Sequence, residues 1–598
     1  MAVSSTRPDG TSSVEPRDAS QPTVSERAIE ALDLDDFQGP GAYVNILPVW
    51  RFWVLCFGVC AGLLLSIIDS SILATSLYTI GVEFQEHSLI NWVVLAYTLG
   101  YTGFAVSCST LSDIIGQRNA FAGSYILFVS FSIACGFARH IKHLIICRAF
   151  QGVGGSGLYA LSMIILTQQC PPQLRQYLGS IIGVVIASAG ILGPVLGGFF
   201  TEYTSWRWIF WINGPIGVIS LLIFLLSWPS RREMPRTQTR PWRQFDFIGT
   251  VLGIAASVLV VFAFQNAGES ETGTWGRAVF IAPVITGLAC WVGVVAWAYA
   301  IEKWFAHSII PVFPIQLFRI QRYARSALTT FLVGYPHLLL IFSFPIRMQV
   351  VSGKSPLIAG LMLLPMLGTV AIGSMVSGKI NSTKDYLSGT LRCGTWMMAL
   401  GFVLLPTIKG SEDDAKALGF LAFAGFGFGL FTAAATNVIS VDVPTRQKAS
   451  AHGITAQARI LGGSLGISIS TLFLHTEVIN RLLELVPPEE LASIRGDMQN
   501  LTGASLEAVK RGYVSAFHKG ITTAAVAACL AVLSTAFITC QMRRRERRRD
   551  VEQHREQQRE DVAPEEREQR VAEPLIPLQT VAGGGVAEAG AAPGQSVK

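Results

Sequence analysis

The stretch Gly183–Gly217, GVVIASAGILGPVLGGFFTEYTSWRWIFWINGPIG, decides how the rest of the chain is read. Its first part is apolar and crowded with small residues: Gly183, Ala187, Ala189, Gly190, Gly193, Pro194, Gly197 and Gly198. Its second part sets Trp206, Trp208 and Trp211 around Arg207, then turns back through Asn213, Gly214 and Pro215. In a water-soluble helix each interior Gly costs about 1 kcal/mol against Ala, and a Pro about 3 kcal/mol. In lipid, small residues let two backbones approach, and packing rather than water exclusion drives association. Two readings fit: a plain packing face of a membrane protein, or a bendable helix between two moving halves of a transporter.

The surrounding composition selects the membrane. Of 598 residues, 51% are hydrophobic and only 14% charged, against about a quarter charged in soluble domains. The mean hydropathy is +0.45. From Phe52 onward, apolar runs of about 20 residues recur, the length that crosses about 30 Å of hydrocarbon. Fourteen such runs are expected, among them 391–408, 450–474 and 520–541. The fold class is therefore an all-α polytopic membrane protein. The first apolar run lies behind a long polar leader, too deep for a cleaved signal peptide.

The Lys/Arg bias orients the spans. Arg231, Arg232, Arg236, Arg240 and Arg243 mark the loop 229–245 as cytoplasmic, and Arg543–Arg545 and Arg547–Arg549 place the C-terminus on the same side. Both termini are then cytoplasmic, and residues 1–48 and 542–598 read as disordered tails. The loop 475–519 faces outward and carries Asn500-Leu501-Thr502, a glycosylation acceptor. The net charge of +6 is small and sits in loops beside apolar spans, which excludes nucleic acid as the partner. No Cys/His cluster suggests a metal, no cofactor is implied, and no phosphate-binding loop of the form GxxxxGK[ST] is present. The partners expected are a small molecule, protons and the bilayer, with an ion gradient or simple facilitation in place of a nucleotide.

Ionisable side chains inside apolar spans cost about 2.5–3.5 kcal/mol at the bilayer centre, so they are functional candidates by default. Asp69, in LLLSIIDSSILATSLYTI, has Ser70, Ser71, Thr75 and Ser76 nearby. Desolvation disfavours a charged carboxylate, so Asp69 can exchange a proton, pair with a cation, or serve as a structural acid. Arg148, in LIICRAFQGVGGSGLYA, cannot deprotonate and needs an acid, carbonyls or substrate as partner; Gln151 lies one turn on. Arg459 lies in TAQARILGGSLGISIS beside Gly462 and Gly466, with functional and structural roles both open. His337, in VGYPHLLL, either faces the cavity or is a packing residue, the commoner role of a lone His in an apolar helix. After the second span, STLSDIIGQRNAF puts Asp113 and Arg118 on either side of Gly116, a charged turn that either latches two helices or only sets topology.

Together these segments resemble the major facilitator superfamily, and within it the fourteen-span drug:proton antiporters of fungi. The first-span pattern LDxTIxATALPTI is similar to Ile68–Ile80, with Tyr78 where Pro is usual. The loop pattern GxLSDxxGRR is similar to Ser109–Arg118, with Ser109 and Gln117 as departures. RxxQGxGGA is similar to Arg148–Ser156, GxxxGPxxGG to the stretch holding Gly190, Gly193, Pro194, Gly197 and Gly198, and WRWIFxINxPxG to Trp206–Gly217. The resemblance implies two six-helix bundles, 49–228 and 304–541, with an extra helix pair at 246–303. It implies alternating access, proton coupling through Asp69 and Arg148, and export favoured by the Gly183–Gly198 helix. The expected activity is proton-driven export of a hydrophobic or amphipathic fungal metabolite, toxin or drug across the cell membrane. A vacuolar carrier of basic amino acids or siderophores, and a non-transporting membrane sensor or scaffold, are the alternatives.

Overall fold

The computed structural model describes residues 48–73, 76–86, 89–171, 174, 177–229, 241–267, 278–304, 309–381, 386–408, 414–444, 447–485, 507 and 509–537. They belong to one compact unit that runs to Ile538. Both tails, Asn500 and its sequon, and residues 230–240 of the basic loop lie outside the described residues.

Among the described residues, twelve helices are long and apolar enough to cross a membrane. In chain order they are α1 (Val49–Ile72), α2 (Ile90–Ile115), α3 (Gln117–Gly136), α4 (Ile141–Gln169), α5 (Leu178–Tyr203) and α6 (Trp208–Ser227). There follow α7 (Phe247–Ala267), α8 (Ala278–Trp304), α9 (Gln321–Val350), α10 (Leu357–Ile380), α12 (Asp414–Asp442) and α14 (Val509–Phe537). Two more helices, α11 (Leu387–Leu404) and α13 (Lys448–Leu485), occupy the places of the remaining expected runs. α13 has lower hydropathy because it turns polar residues inward: Ser450, His452, Thr455, Gln457, Ser464 and Ser468 are all buried. It also runs to Leu485, eleven residues beyond the expected end at 474, and α14 starts at Val509 rather than 520.

The burial pattern is that of a protein in lipid, where apolar side chains need not be hidden and polar ones must be. Leu226, Val292, Ile285 and Trp396 are 82%, 70%, 62% and 64% exposed, while Asp69, Gln151 and Arg148 are at most 1% exposed. The buried apolar residues form three clusters, two drawn mainly from α1–α6 and one mainly from α8–α14, with Ala449 and Ala456 of α13 in one of the former and Val106 of α2 and Ala187 of α5 in the latter. α5 lies where these meet. It packs on α1 on one side and on α10 and α12 on the other. Across the molecule, α2 packs on α13, and α7 leans against both.

The small residues of α5 explain its position. A Cβ on Gly193 would strike Ser71 Oγ of α1 and come within 3.1 Å of Ser71 Cβ. A Cβ on Gly179 would lie 2.5 Å from the carbonyl oxygen of Ala433 in α12, and one on Gly190 2.9 Å from Leu367 Cδ2 in α10. Pro194 sits against Gly360 of α10, where a Cβ would approach Pro194 Cβ at 3.2 Å. These contacts make the small-residue face of α5 a packing face between α1 and the α10–α12 pair.

Candidate functional site

Three side chains from two helices converge on the buried carboxylate of Asp69 in α1. Arg148 Nη1 of α4 donates to Asp69 Oδ2 at 2.5 Å. One turn along α4, Gln151 Nε2 donates to Asp69 Oδ1 at 2.9 Å. From α6, Asn213 Nδ2 donates to Asp69 Oδ1 at 3.2 Å and to Ser132 Oγ of α3 at 3.0 Å. Arg148 also donates to Gln151 Oε1 at 2.9 Å and, through Nε, to the Val93 carbonyl of α2 at 3.3 Å. A charge held in a low-dielectric interior needs this degree of satisfaction.

Glycines make the convergence possible. Gly152 and Gly154 bring α4 against the backbones of α2 and α3: a Cβ on Gly154 would lie 2.6 Å from Phe128 N, and one on Gly152 would strike the carbonyl oxygen of Tyr97. Gly193 does the same for α5 against α1, next to Ile68 and Ser71, the neighbours of Asp69.

An aromatic partition separates the carboxylate from the central cavity. The Arg148 guanidinium lies 4.1 Å from the centre of the Tyr97 ring. Tyr97 and Tyr101 have ring centres 5.6 Å apart, and Tyr101 and Tyr159 6.1 Å. Tyr97 OH donates to the Ser66 carbonyl at 2.9 Å. On the far side of these rings lies a cavity of about 130 Å³, walled by Tyr97, Tyr101, Tyr159, His337, Phe428 and Arg459 among others. Arg459 Nη1 donates to Tyr159 OH at 2.7 Å. The three tyrosines thus form an unbroken chain of contacts from Arg148 in the first half to Arg459 in the second.

The other expected residues fall as follows. His337 does pack, its ring flat against Phe428 with centres 3.5 Å apart, and it also faces the cavity. Gly190 lines the cavity wall as well, rather than serving only to bend the helix. Gly197 is buried and accepts from Thr201 Oγ1 at 2.7 Å, and a Cβ on Gly198 would find Leu357 Cα at 3.8 Å. Gly116 takes φ +86° between α2 and α3, a conformation that favours glycine. Among the described residues no ion pair joins Asp113 to Arg118 across it; Arg118 is exposed, and Gln117 Nε2 donates instead to Gln168 Oε1 of α4 at 2.6 Å. The turn therefore ties α3 to α4 through the residue that departs from the family pattern.

Three participants escaped the sequence reading. Asn213 was visible only as part of a turn. Tyr97 carried no signal, since its role depends on α2 facing α4. Asp246 is 4% exposed and caps α7: Oδ1 accepts from Gly249 N at 2.7 Å and Trp297 Nε1 at 2.8 Å, and Oδ2 from Val312 N at 3.2 Å. It fastens α7, α8 and the segment before α9 together, away from the central cavity.

Known proteins share this architecture. The MFS-type transporter FPY5 of Fusarium mangiferae is 29% identical over 475 residues, covering 77% of this chain and 79% of that one. The aspyridones efflux protein of Neocamarosporium betae is 29% identical over 449 residues, covering 74% and 77%. Among solved structures, the proton:xylose symporter XylE aligns with a TM-score of 0.54 at 14% identity, covering 82% of this chain and 96% of that one, a likeness of fold alone. The Major Facilitator Superfamily model matches residues 59–467, and the chain belongs to that superfamily: it is a multi-pass membrane protein that transports small molecules and is not an enzyme.

Proposed function

We propose that this protein is a proton-driven antiporter that expels a hydrophobic or amphipathic small molecule, with both termini in the cytoplasm, across the cell membrane. The observation that carries the proposal is the Asp69 carboxylate, 0% exposed and held by Arg148, Gln151 and Asn213. An acid in this position exists in two states. Ionised, it ties α1 to α4 and α6. Protonated, it no longer compensates Arg148, and the tie loosens. α5 touches α1 through Gly193 beside Ile68 and Ser71, so a change at Asp69 reaches the helix that spans both halves.

The cavity supports a reciprocating mechanism. Pockets that hold drug-sized ligands measure about 300–1,000 Å³, more than the 130 Å³ present here. A cargo of that size requires the halves to part. Relatives named as efflux proteins, including the aspyridones efflux protein and the MFS-type efflux pump LUC4, favour outward transport. Among the residues that line the cavity the ionisable cation is Arg459, and no carboxylate accompanies it. That lining disfavours a basic amino acid as cargo, and with it the vacuolar reading.

The test is cargo uptake into inside-out vesicles whose lumen is made acidic. Asp69→Asn is expected to abolish gradient-driven movement while leaving gradient-independent exchange. Unchanged gradient dependence in that variant would remove Asp69 from the coupling role.

A further inference from the structure

Three polar groups in the cavity wall have no partner. His337 Nδ1, Arg459 Nε and Ser464 Oγ are each buried and each without a hydrogen bond. His337 is 6% exposed and Ser464 0% exposed, and both line the cavity with Arg459. Buried polar groups are hydrogen-bonded in the great majority of cases, so an orphan calls for a reason. All three belong to residues that line one cavity, and their common location points to a polar ligand there.

Arg459 identifies the ligand's chemistry. Its partner in the structure is a neutral phenol, Tyr159 OH, and among the described residues no carboxylate pairs with it. Asp69 does not offset this charge, since Arg148 already compensates Asp69. An uncompensated guanidinium within the membrane is costly, and an anion arriving there would form a charge-assisted hydrogen bond at Nε. The Ser464 hydroxyl adds a second donor. The wall also presents aromatic faces, the stacked His337–Phe428 pair and the rings of Tyr97 and Tyr101, along with the hydroxyl residues Ser70, Ser71 and Thr98.

We propose that Arg459, Ser464 and His337 form a subsite for the acidic group of an amphipathic organic anion, with Phe428 and the tyrosines holding its ring system. This narrows the cargo class of the proposed antiporter and rests on the reading of this cavity as the cargo path. It also gives the tyrosine chain a purpose. Neutralising Arg459 changes the field at Tyr159, which connects through Tyr101 and Tyr97 to the Arg148 guanidinium.

The experiment measures binding, so it does not depend on coupling. Protein in nanodiscs at pH 7 is titrated with 1-anilinonaphthalene-8-sulfonate and with N-phenyl-1-naphthylamine, the same rings without the sulfonate, against empty nanodiscs. The wild type is expected to hold the sulfonate at least tenfold more tightly. Arg459→Gln should erase that preference and leave the neutral probe's affinity in place, while Arg459→Lys retains part of it. Ser464→Ala should weaken the sulfonate several-fold without lowering the thermal midpoint, because it removes an unpartnered hydroxyl. Equal affinity of the two probes for the wild type, or a preference that survives Arg459→Gln, overturns the subsite. A preserved anion preference in a protein whose efflux ignores the pH gradient would sustain the subsite and overturn only the coupling.

Discussion

Replacing Asp69 and Arg148 singly and together separates what the ion pair does for stability from what it does for transport. Both side chains are at most 1% exposed. Breaking a buried pair by removing one partner costs about 3–5 kcal/mol, chiefly because the other charge is left uncompensated. The two single variants are not equivalent. In Arg148→Gln the carboxylate keeps the Gln151 and Asn213 donors and can escape the penalty by taking up a proton. In Asp69→Asn the guanidinium cannot shed its charge, and it keeps the neutral partners Gln151 Oε1, the Val93 carbonyl and the rings of Tyr97 and Phe210. Asp69→Asn should therefore be the more destabilised, by about 3–5 kcal/mol, and Arg148→Gln by less. The double variant contains neither charge and should return to within about 1–2 kcal/mol of the wild type. The assay pairs thermal unfolding of the purified protein with gradient-driven efflux in vesicles. Stability should recover in the double variant, and proton-driven transport should not. A wild-type midpoint in Asp69→Asn would refute the burial argument. Gradient-driven efflux in the double variant would refute the assignment of the proton to Asp69.

Gly193→Ala should impair efflux, because its new methyl meets Ser71 Oγ and lies 3.1 Å from Ser71 Cβ; adding Ser71→Gly removes both atoms and should restore transport, measured as efflux per unit of membrane protein. Asp246→Asn keeps an oxygen for Gly249 N and Trp297 Nε1 but turns an amide toward Val312 N, donor against donor; the mismatch should cost about 1–3 kcal/mol, read as a lower thermal midpoint with cargo selectivity unchanged. Glu83 lies in the short helix Leu77–Phe84, outside the spans, and accepts from Trp206 Nε1 at 2.5 Å and Arg207 Nη1 at 2.6 Å. Partial burial pushes its carboxyl group up, but those two bonds and the Arg207 charge together hold it below the ordinary carboxylate range. The clamp is then fully present above that range and is lost only as the pH falls through the depressed value. The difference in midpoint between wild type and Glu83→Gln should persist at neutral and mildly acidic pH and vanish below it; a difference that grows on acidification would reverse the sign of this argument.

How much was legible follows from what each signal measures. Asp69 and Arg148 were visible because a charge within an apolar run is rare and needs no partner to be noticed. The small residues of α5 were visible for the same reason. Asn213 was not, since an amide before a Gly-Pro pair reads as a turn; its bond to Asp69 spans 144 residues. Tyr97 looks like any aromatic in a span until α2 and α4 are set face to face. α13 extends eleven residues past its expected end because the chain after 474 turns polar in sequence, yet Glu477 there is buried and accepts from Ser515 Oγ and Lys519 Nζ of α14. Gln457 illustrates the point: Nε2 donates to Ser257 Oγ of α7 at 2.6 Å, both groups at most 3% exposed, and neither residue signals the other along the chain.

The arrangement of α5 bears on how the two sites communicate. Near Gly193 it abuts α1 at Ser71, two residues from Asp69; near Gly190 it lines the cavity that holds Arg459; near Gly179 its backbone meets α12. With contacts this close, a shift of α5 at one of them bears on its neighbours at the others. Pro194 removes one backbone hydrogen bond between these contacts and gives the helix a place to bend. Two sets of contacts thus run from Asp69 to the cavity, one through the tyrosine rings and one through α5. Gly190→Ala confronts only Leu367 Cδ2, the end of a flexible side chain at 2.9 Å, and leaves the tyrosines untouched. If position is what couples the sites, Gly193→Ala should lower the number of protons exchanged per cargo while Gly190→Ala should not, although both change the same helix face by one methyl group.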